Sequence, residues 1–275
     1  MKFRNSFAVL AASMAACLIT LNAQAQSAFD GFYGHISTGY ESNRLTNING
    51  SSVEVPANGD NVNSSSPSQN FGGAPLVLGV GYFWQSNSPW HVGIGADYSA
   101  ISQTSAAWQG NVTNAPGNTL IPAGTSMTSS GSSLQLSNRF NIFISPGYAI
   151  DNDKLVYIKA GYSQVSGKEN HATSITVKSN AGSLTLPTTT AGSSTNTTVG
   201  GYIIGVGYKQ IIKSGLYGFI EGNYMGYSSL GDAYSSNGNS ASKTAEGVTN
   251  SSATHITGSQ NLNTYQLLVG LGYVF

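Results

Sequence analysis

Over residues 261–275, NLNTYQLLVGLGYVF, alternate positions fall into two unlike sets. Tyr265, Leu267, Val269, Leu271, Tyr273 and Phe275 are large and apolar or aromatic, whereas Thr264, Gln266, Leu268, Gly270, Gly272 and Val274 are mostly small or polar. A strand sends successive side chains to opposite faces, so one face here is greasy and the other compact. That pattern fits a strand with lipid outside and a narrow lumen inside. Seven further stretches repeat it, predicting strands over about 32–41, 76–84, 90–101, 134–149, 155–165, 199–212 and 216–227. In the fourth, Leu136, Phe140, Ile142, Ile144 and Tyr148 fall on the outward face, and Asn138 falls with them, which suits only the upper interface. The seventh is the hardest to phase; Glu221 is turned inward because an unpaired charge at mid-bilayer costs a few kcal/mol.

Short turns near 85–89, 151–153 and 213–215 alternate with four stretches rich in Ser, Thr, Asn and Gly, over 43–70, 103–132, 167–197 and 229–260. The latter read as long polar loops. An even strand number puts both chain ends on the short-turn side. Pro75 cannot donate to a ladder and is placed at the rim, where pairing begins.

Composition narrows the class. Charged residues are 8% of the 275, too few for an ordinary soluble surface. Lys and Arg together number 11, as do Asp and Glu, so neither nucleic-acid binding nor an acidic-tail role is supported. Lys2 and Arg4, the apolar run from Phe7 to Leu21, and Ala23-Gln24-Ala25 form an export signal over residues 1–25, leaving one domain over 26–275. A lipoprotein signal ending at Cys17 competes poorly, because Met14 replaces the usual Leu and the apolar run continues beyond it. Without the signal the chain holds no Cys, so it needs no disulfide. No later window carries about 18 consecutive apolar residues, so a membrane must be crossed by strands, which satisfy their backbone by closing a sheet.

Gly270, Tyr273 and the terminal Phe275 resemble the C-terminal signature of bacterial outer-membrane β-barrels. In such proteins that last strand is what the barrel assembly machinery recognises. Across residues 30–275 the strand pattern also resembles the eight-stranded OmpA-like transmembrane barrels and the wider family of small outer-membrane surface antigens. The resemblance implies an all-β, eight-stranded antiparallel up-and-down barrel with four long extracellular loops and short periplasmic turns. It also implies an outer-membrane location, with lipid and lipopolysaccharide as surroundings and the assembly machinery as a partner during biogenesis.

The candidate chemistry is sparse. Gly-x-Gly pairs at Gly79/Gly81, Gly93/Gly95, Gly205/Gly207 and Gly270/Gly272 lack the third glycine of a dinucleotide site and the Lys-Ser/Thr of a phosphate loop, and read as small lumen residues. His35, His91, His171 and His255 are scattered, so no metal or other cofactor is expected. His171 or His255 with a loop Ser could be fitted to a lipid A-editing barrel enzyme, but Ser is too abundant for the pairing to inform, and no catalytic residue is assigned. Trp84, Trp90, Tyr148, Tyr208 and Phe275 lie near strand ends on the turn side and form an expected interfacial girdle.

Glu41, Asp97 and Glu221 share the inward phase with Arg139, Lys159 and Lys209. In so narrow a lumen they are expected to balance, with Lys159 and Glu221 at similar height and able to meet or to share Arg139 and Lys209. The expected role is structural or adhesin-like, with a narrow porin-like pore as the alternative.

Overall fold

The computed structural model describes residues 28–55, 61–85, 89–114, 124, 126–179, 182–187, 194–230, 238–244 and 247–275. The expected export signal lies outside them. The architecture is all-β and is organised around a closed ring. Its strands are β1 (Gly31–Val55), β2 (Leu76–Gln85), β3 (Trp90–Ser99), β4 (Ser126–Ala149), β5 (Lys154–Asn170), β6 (Ser194–Lys213), β7 (Leu216–Tyr227) and β8 (Gly247–Val274). Each pairs antiparallel with its successor. β8 then returns to β1, from Tyr33↔Val274 upward, so the ladder has no free edge at this level.

Two described turns at the lower end are tight. Ser214 and Gly215 take φ values of 43° and 83°, and Val274 donates to Gly215 O at 2.9 Å. At the β4–β5 turn, Lys154 Nζ donates to Asp151 at 2.7 Å and Asp153 N does so at 3.2 Å, which holds the Asp151 carboxyl down at about 2.

The stretches expected to be loops are largely strand. β1 runs to Val55 and β8 begins at Gly247, and they stay paired as far as Val55↔Ser252. Shorter strands at Asn61–Ser66, Gln69–Gly73, Gln103–Thr104, Trp108–Asn114, Ser174–Ser179, Gly182–Pro187 and Gly238–Thr244 join the same sheet above the ring. Alternation is visible only where the two faces meet different surroundings. These segments carry Ser, Thr and Asn on both faces, so they give no period-two signal although Thr is a good strand former.

One phase assignment is also corrected. Leu136, expected on the outward face with Phe140, is buried inside. The β4–β5 register slips between Ser137 and Phe140, and Asn138 adopts φ 50°. This β-bulge reverses the parity of β4, so Leu134 and Leu136 point inward above it and Arg139 and Asn141 below it. Asn138 itself stays outside, where Tyr98 OH donates to its Oδ1 at 2.9 Å.

Glycine lets the ring fill. A Cβ at Gly161 would stand 2.0 Å from Ile142 O and 2.6 Å from Phe143 Cα, both backbone. Outward-facing Gly222 would meet nothing within 4 Å. Gly161→Ala should therefore destabilise the ring by about 1–3 kcal/mol, as overpacking does, while Gly222→Ala is expected to leave it unchanged or slightly more stable. Thermal unfolding of the two variants in detergent checks this; equal shifts would contradict the close backbone approach at Gly161.

Candidate functional site: the filled lumen and the outer face

The inward side chains of the ring form three layers. At the turn end Phe29, Tyr33, Phe83, Leu155, Tyr217 and Phe219 make an apolar cluster. At the other end Leu45, Ile48, Trp108, Leu134, Leu136, Val165, Val199, Leu230 and Leu262 make a second. Between them lie five of the six charged residues of the inward phase; the sixth, Lys209, sits among the rings of the turn-end cluster, and all six are buried.

Arg139 on β4 organises the upper part of the charged layer. Its guanidinium donates to Glu41 on β1, to Asn43 Oδ1 at 3.1 Å, to Thr264 Oγ1 at 3.2 Å and to Tyr227 OH at 2.9 Å. Glu41 also accepts from Gln266 Nε2 at 2.7 Å and Asn43 Nδ2 at 2.9 Å. Four strands are tied at one height, and the planar fork of Arg is suited to that task.

Lys159 on β5 organises the lower part. Its ammonium pairs with Asp97 on β3 and with Glu221 Oε1 on β7 at 3.0 Å. Glu221 further accepts from Tyr157 OH at 2.7 Å and Asn223 Nδ2 at 2.8 Å, and His35 Nε2 stands 3.5 Å from Asp97. Lys159 and Glu221 thus meet, as their heights suggest, but Arg139 is not shared with them. Asp97 joins them instead, as a second carboxylate on Lys159.

Lys209 departs most from expectation. Among the described residues it stands within ion-pair distance of no carboxylate. Its Nζ is instead surrounded by the rings of Tyr33 at 4.1 Å, Phe83 at 4.7 Å, Tyr217 at 5.0 Å and Tyr157 at 5.1 Å. Ring faces are electron-rich, so this cage holds the ammonium by cation–π attraction. The inward phase of Tyr33, Phe83 and Tyr217 was legible in the sequence, but their convergence on one lysine needs the ring's closure.

The outer face carries the opposite chemistry. Ile36, Leu78, Val80, Ile94, Ile144, Ile158, Val206, Leu267 and Val269 are exposed large apolar side chains that form one band. Such continuity far exceeds the scattered apolar surface of a soluble protein. Of the expected girdle, Trp84, Trp90, Tyr148 and Phe275 are exposed at the turn end of this band, and Tyr208 is half-buried with its OH on Gln210 at 3.1 Å. Trp90 and Tyr148 pack edge to face at 5.1 Å, and Tyr273 and Phe275 at 5.3 Å.

A second aromatic belt, not assigned from the sequence, borders the band's upper side. Tyr202, Tyr224 and Tyr265 follow one another at 6.0 and 5.1 Å, with Tyr40, Tyr98 and Tyr162 exposed on other strands. Trp90 to Tyr98, Tyr148 to Phe140 and Tyr273 to Tyr265 are each eight residues apart. At about 3.4 Å per residue and a tilt near 40°, the belts stand roughly 21 Å apart.

Among the described residues no three His, Cys, Asp or Glu side chains gather as a metal site. His171 Nε2 lies 3.0 Å from Thr195 Oγ1, and the side chain of His255 lies outside the described ones.

No family model and no curated protein sequence matches the chain. Among solved structures it is similar to the outer-membrane protease OmpT from Escherichia coli, with TM-score 0.40 and 12% identity, covering 94% of this chain and 100% of that one. It is also similar to Ail, the attachment invasion locus protein of Yersinia pestis, with TM-score 0.36 and 13% identity, covering 90% and 99%. The outer-membrane protein OprG from Pseudomonas aeruginosa gives TM-score 0.35 and 11% identity, covering 90% and 96%.

The networks differ in redundancy, which predicts different mutational costs. Glu41→Ala strips Arg139 of its carboxylate and should destabilise by about 3–5 kcal/mol, with Glu41→Ala plus Arg139→Ala recovering part of the loss. Glu221→Ala should cost less, because Lys159 keeps Asp97. Urea unfolding in detergent micelles ranks the variants; the reverse order would show that the pairs do not carry the lumen as described.

Proposed function

We propose that the chain is an integral outer-membrane protein, an OmpA-like, eight-stranded up-and-down β-barrel whose role is structural or adhesin-like. The observation that carries this reading is the contrast between a lumen filled by two apolar clusters around a charged layer and an outer face banded with apolar residues between two aromatic belts. A band roughly 21 Å tall is close to the ~25 Å apolar band of outer-membrane barrels. Lipid and lipopolysaccharide then surround the ring, the turns lie in the periplasm, and Gly270, Tyr273 and Phe275 supply the signal read by the assembly machinery. A filled lumen does not suit a diffusion pore, and the proposal gives the protein no catalytic role. What is left to meet partners is the wall of strands above the upper belt.

Three measurements test the proposal. Protease added to intact cells should cut after Lys168, Lys178 or Lys243 and spare Lys154 and Lys213; cuts at the latter two with an intact envelope would refute the orientation. The purified, refolded protein should pass no stepwise current in a planar bilayer. Cells whose protein has residues 174–187 replaced by a short Gly-Ser turn should keep the protein in the outer membrane yet lose surface attachment gained by wild-type expression. Stepwise conductance from the wild type would make it a pore instead.

A further inference from the structure

Residues 228–230 leave the top of β7 and close over the upper apolar cluster, in which Leu230 is buried and to which Trp108 also belongs. They are held from below by Ser228, whose N and Oγ each reach Gly200 O at 3.0 Å. From the side they are held by Gln260 on β8. Leu230 N donates to Gln260 O at 2.7 Å, Ser229 Oγ donates to the same oxygen at 3.2 Å, and Gln260 N lies 3.3 Å from Ser229 Oγ. Gln260 is buried, and its side chain reaches across to the top of β5, where Nε2 donates to Glu169 Oε2 at 2.9 Å. Its Oε1 is buried with no hydrogen-bond partner among the described residues.

A carboxylate can only accept, but a carboxylic acid has one O–H to donate. The geometry points to an acid-closed latch: we propose that protonated Glu169 donates to Gln260 Oε1 while Gln260 Nε2 donates back, and that this reciprocal acid–amide pair holds residues 228–230 down over the lumen. Ionisation removes one of the two bonds and sets a carboxylate against the Gln260 carbonyl. The segment is then held less firmly.

The surroundings of Glu169 favour the acid form. It pairs with Leu134 on β4 and Thr195 on β6, both uncharged. Neighbouring Lys168 is exposed on the opposite face, and no Lys or Arg among the described residues stands within ion-pair reach. His171, two residues on, lies against Thr195, and burial lowers its pKa. Burial raises the Glu169 carboxyl above the ordinary carboxylate value, against the Gln260 hydrogen bond, which lowers it. A raised folded value means that the latch's stabilisation is complete below the unfolded pKa and is lost as pH rises through the folded one.

Trp108 reports on the closed segment. With Trp84→Phe and Trp90→Phe it is the one tryptophan left of three, and its quenching by acrylamide is read from pH 4 to 8 in micelles. We expect protection in acid and a several-fold rise in quenching with a midpoint above the ordinary Glu value of about 4.3. In that background Glu169→Gln, whose amide can donate to Gln260 Oε1, should stay protected throughout, and Glu169→Ala should be quenched throughout. His171→Gln should keep the transition. A flat profile for the parent, an unchanged transition in Glu169→Gln, protection in Glu169→Ala, or loss of the transition in His171→Gln would each overturn the latch. Hydrogen exchange at residues 228–230, in chains that keep all three tryptophans, gives the same comparison should the Phe substitutions perturb folding.

Discussion

Everything in this molecule depends on the return of β8 to β1. A strand left at an edge exposes a row of unpaired N–H and C=O groups, which is an aggregation risk in water and far more costly in lipid. The chain removes both edges by pairing its last described strand with its first, and the seam is drawn shut at its lower end. Phe275 N donates to Phe32 O at 2.8 Å, and Gly31, at φ 130°, lies so close to Phe275 O that a Cβ would stand 2.9 Å from it. Once the ring closes, the diameter is fixed, and the inward side chains must fill that space and no more.

The filling follows from this limit. Large inward residues lie opposite glycines: a Cβ on Gly207 would stand 2.2 Å from the Tyr157 ring, and one on Gly272 2.3 Å from Tyr217. The charged layer adds a different constraint. A buried ion pair is weak evidence for stability, since desolvation offsets much of the attraction. Its consequence here is register. Side chains alternate with period two, so a one-residue slip of β1, β4, β5 or β7 would move Glu41, Arg139, Lys159 or Glu221 from its partners to the apolar outer face. The network therefore penalises every neighbouring register heavily, whatever its net contribution to the native one.

What the sequence discloses depends on whether two faces meet unlike surroundings. In the ring they do, so strand phases were readable, including that of β7, where Tyr217, Phe219, Glu221 and Asn223 all lie inside. Leu136 was misplaced because a bulge at Asn138 breaks the period, and no bulge signal precedes it such as Gly would give. Above the ring Ser, Thr and Asn recur at both parities, so these strands show no period-two contrast and were read as loops. The partners of Lys209 were missed for another reason: an ammonium was expected to seek a carboxylate, whereas the two nearby carboxylates, Asp97 and Glu221, are already held by Lys159.

That division of the carboxylates explains why the lower layer can hold two lysines at once. Lys159 sits between Asp97 and Glu221 and also stands 3.8 Å from the Phe143 ring centroid. A second ammonium at the same spot would meet the first across a short, poorly screened distance. The cage of Tyr33, Phe83, Tyr157 and Tyr217 gives Lys209 a separate place nearer the turns, within the long-range field of the two carboxylates but out of contact with them. Tyr157 joins the two arrangements, since its ring faces Lys209 while its OH donates to Glu221. The aromatic cluster and the ion network are thus one packed unit, and the charges balance across it rather than pair by pair.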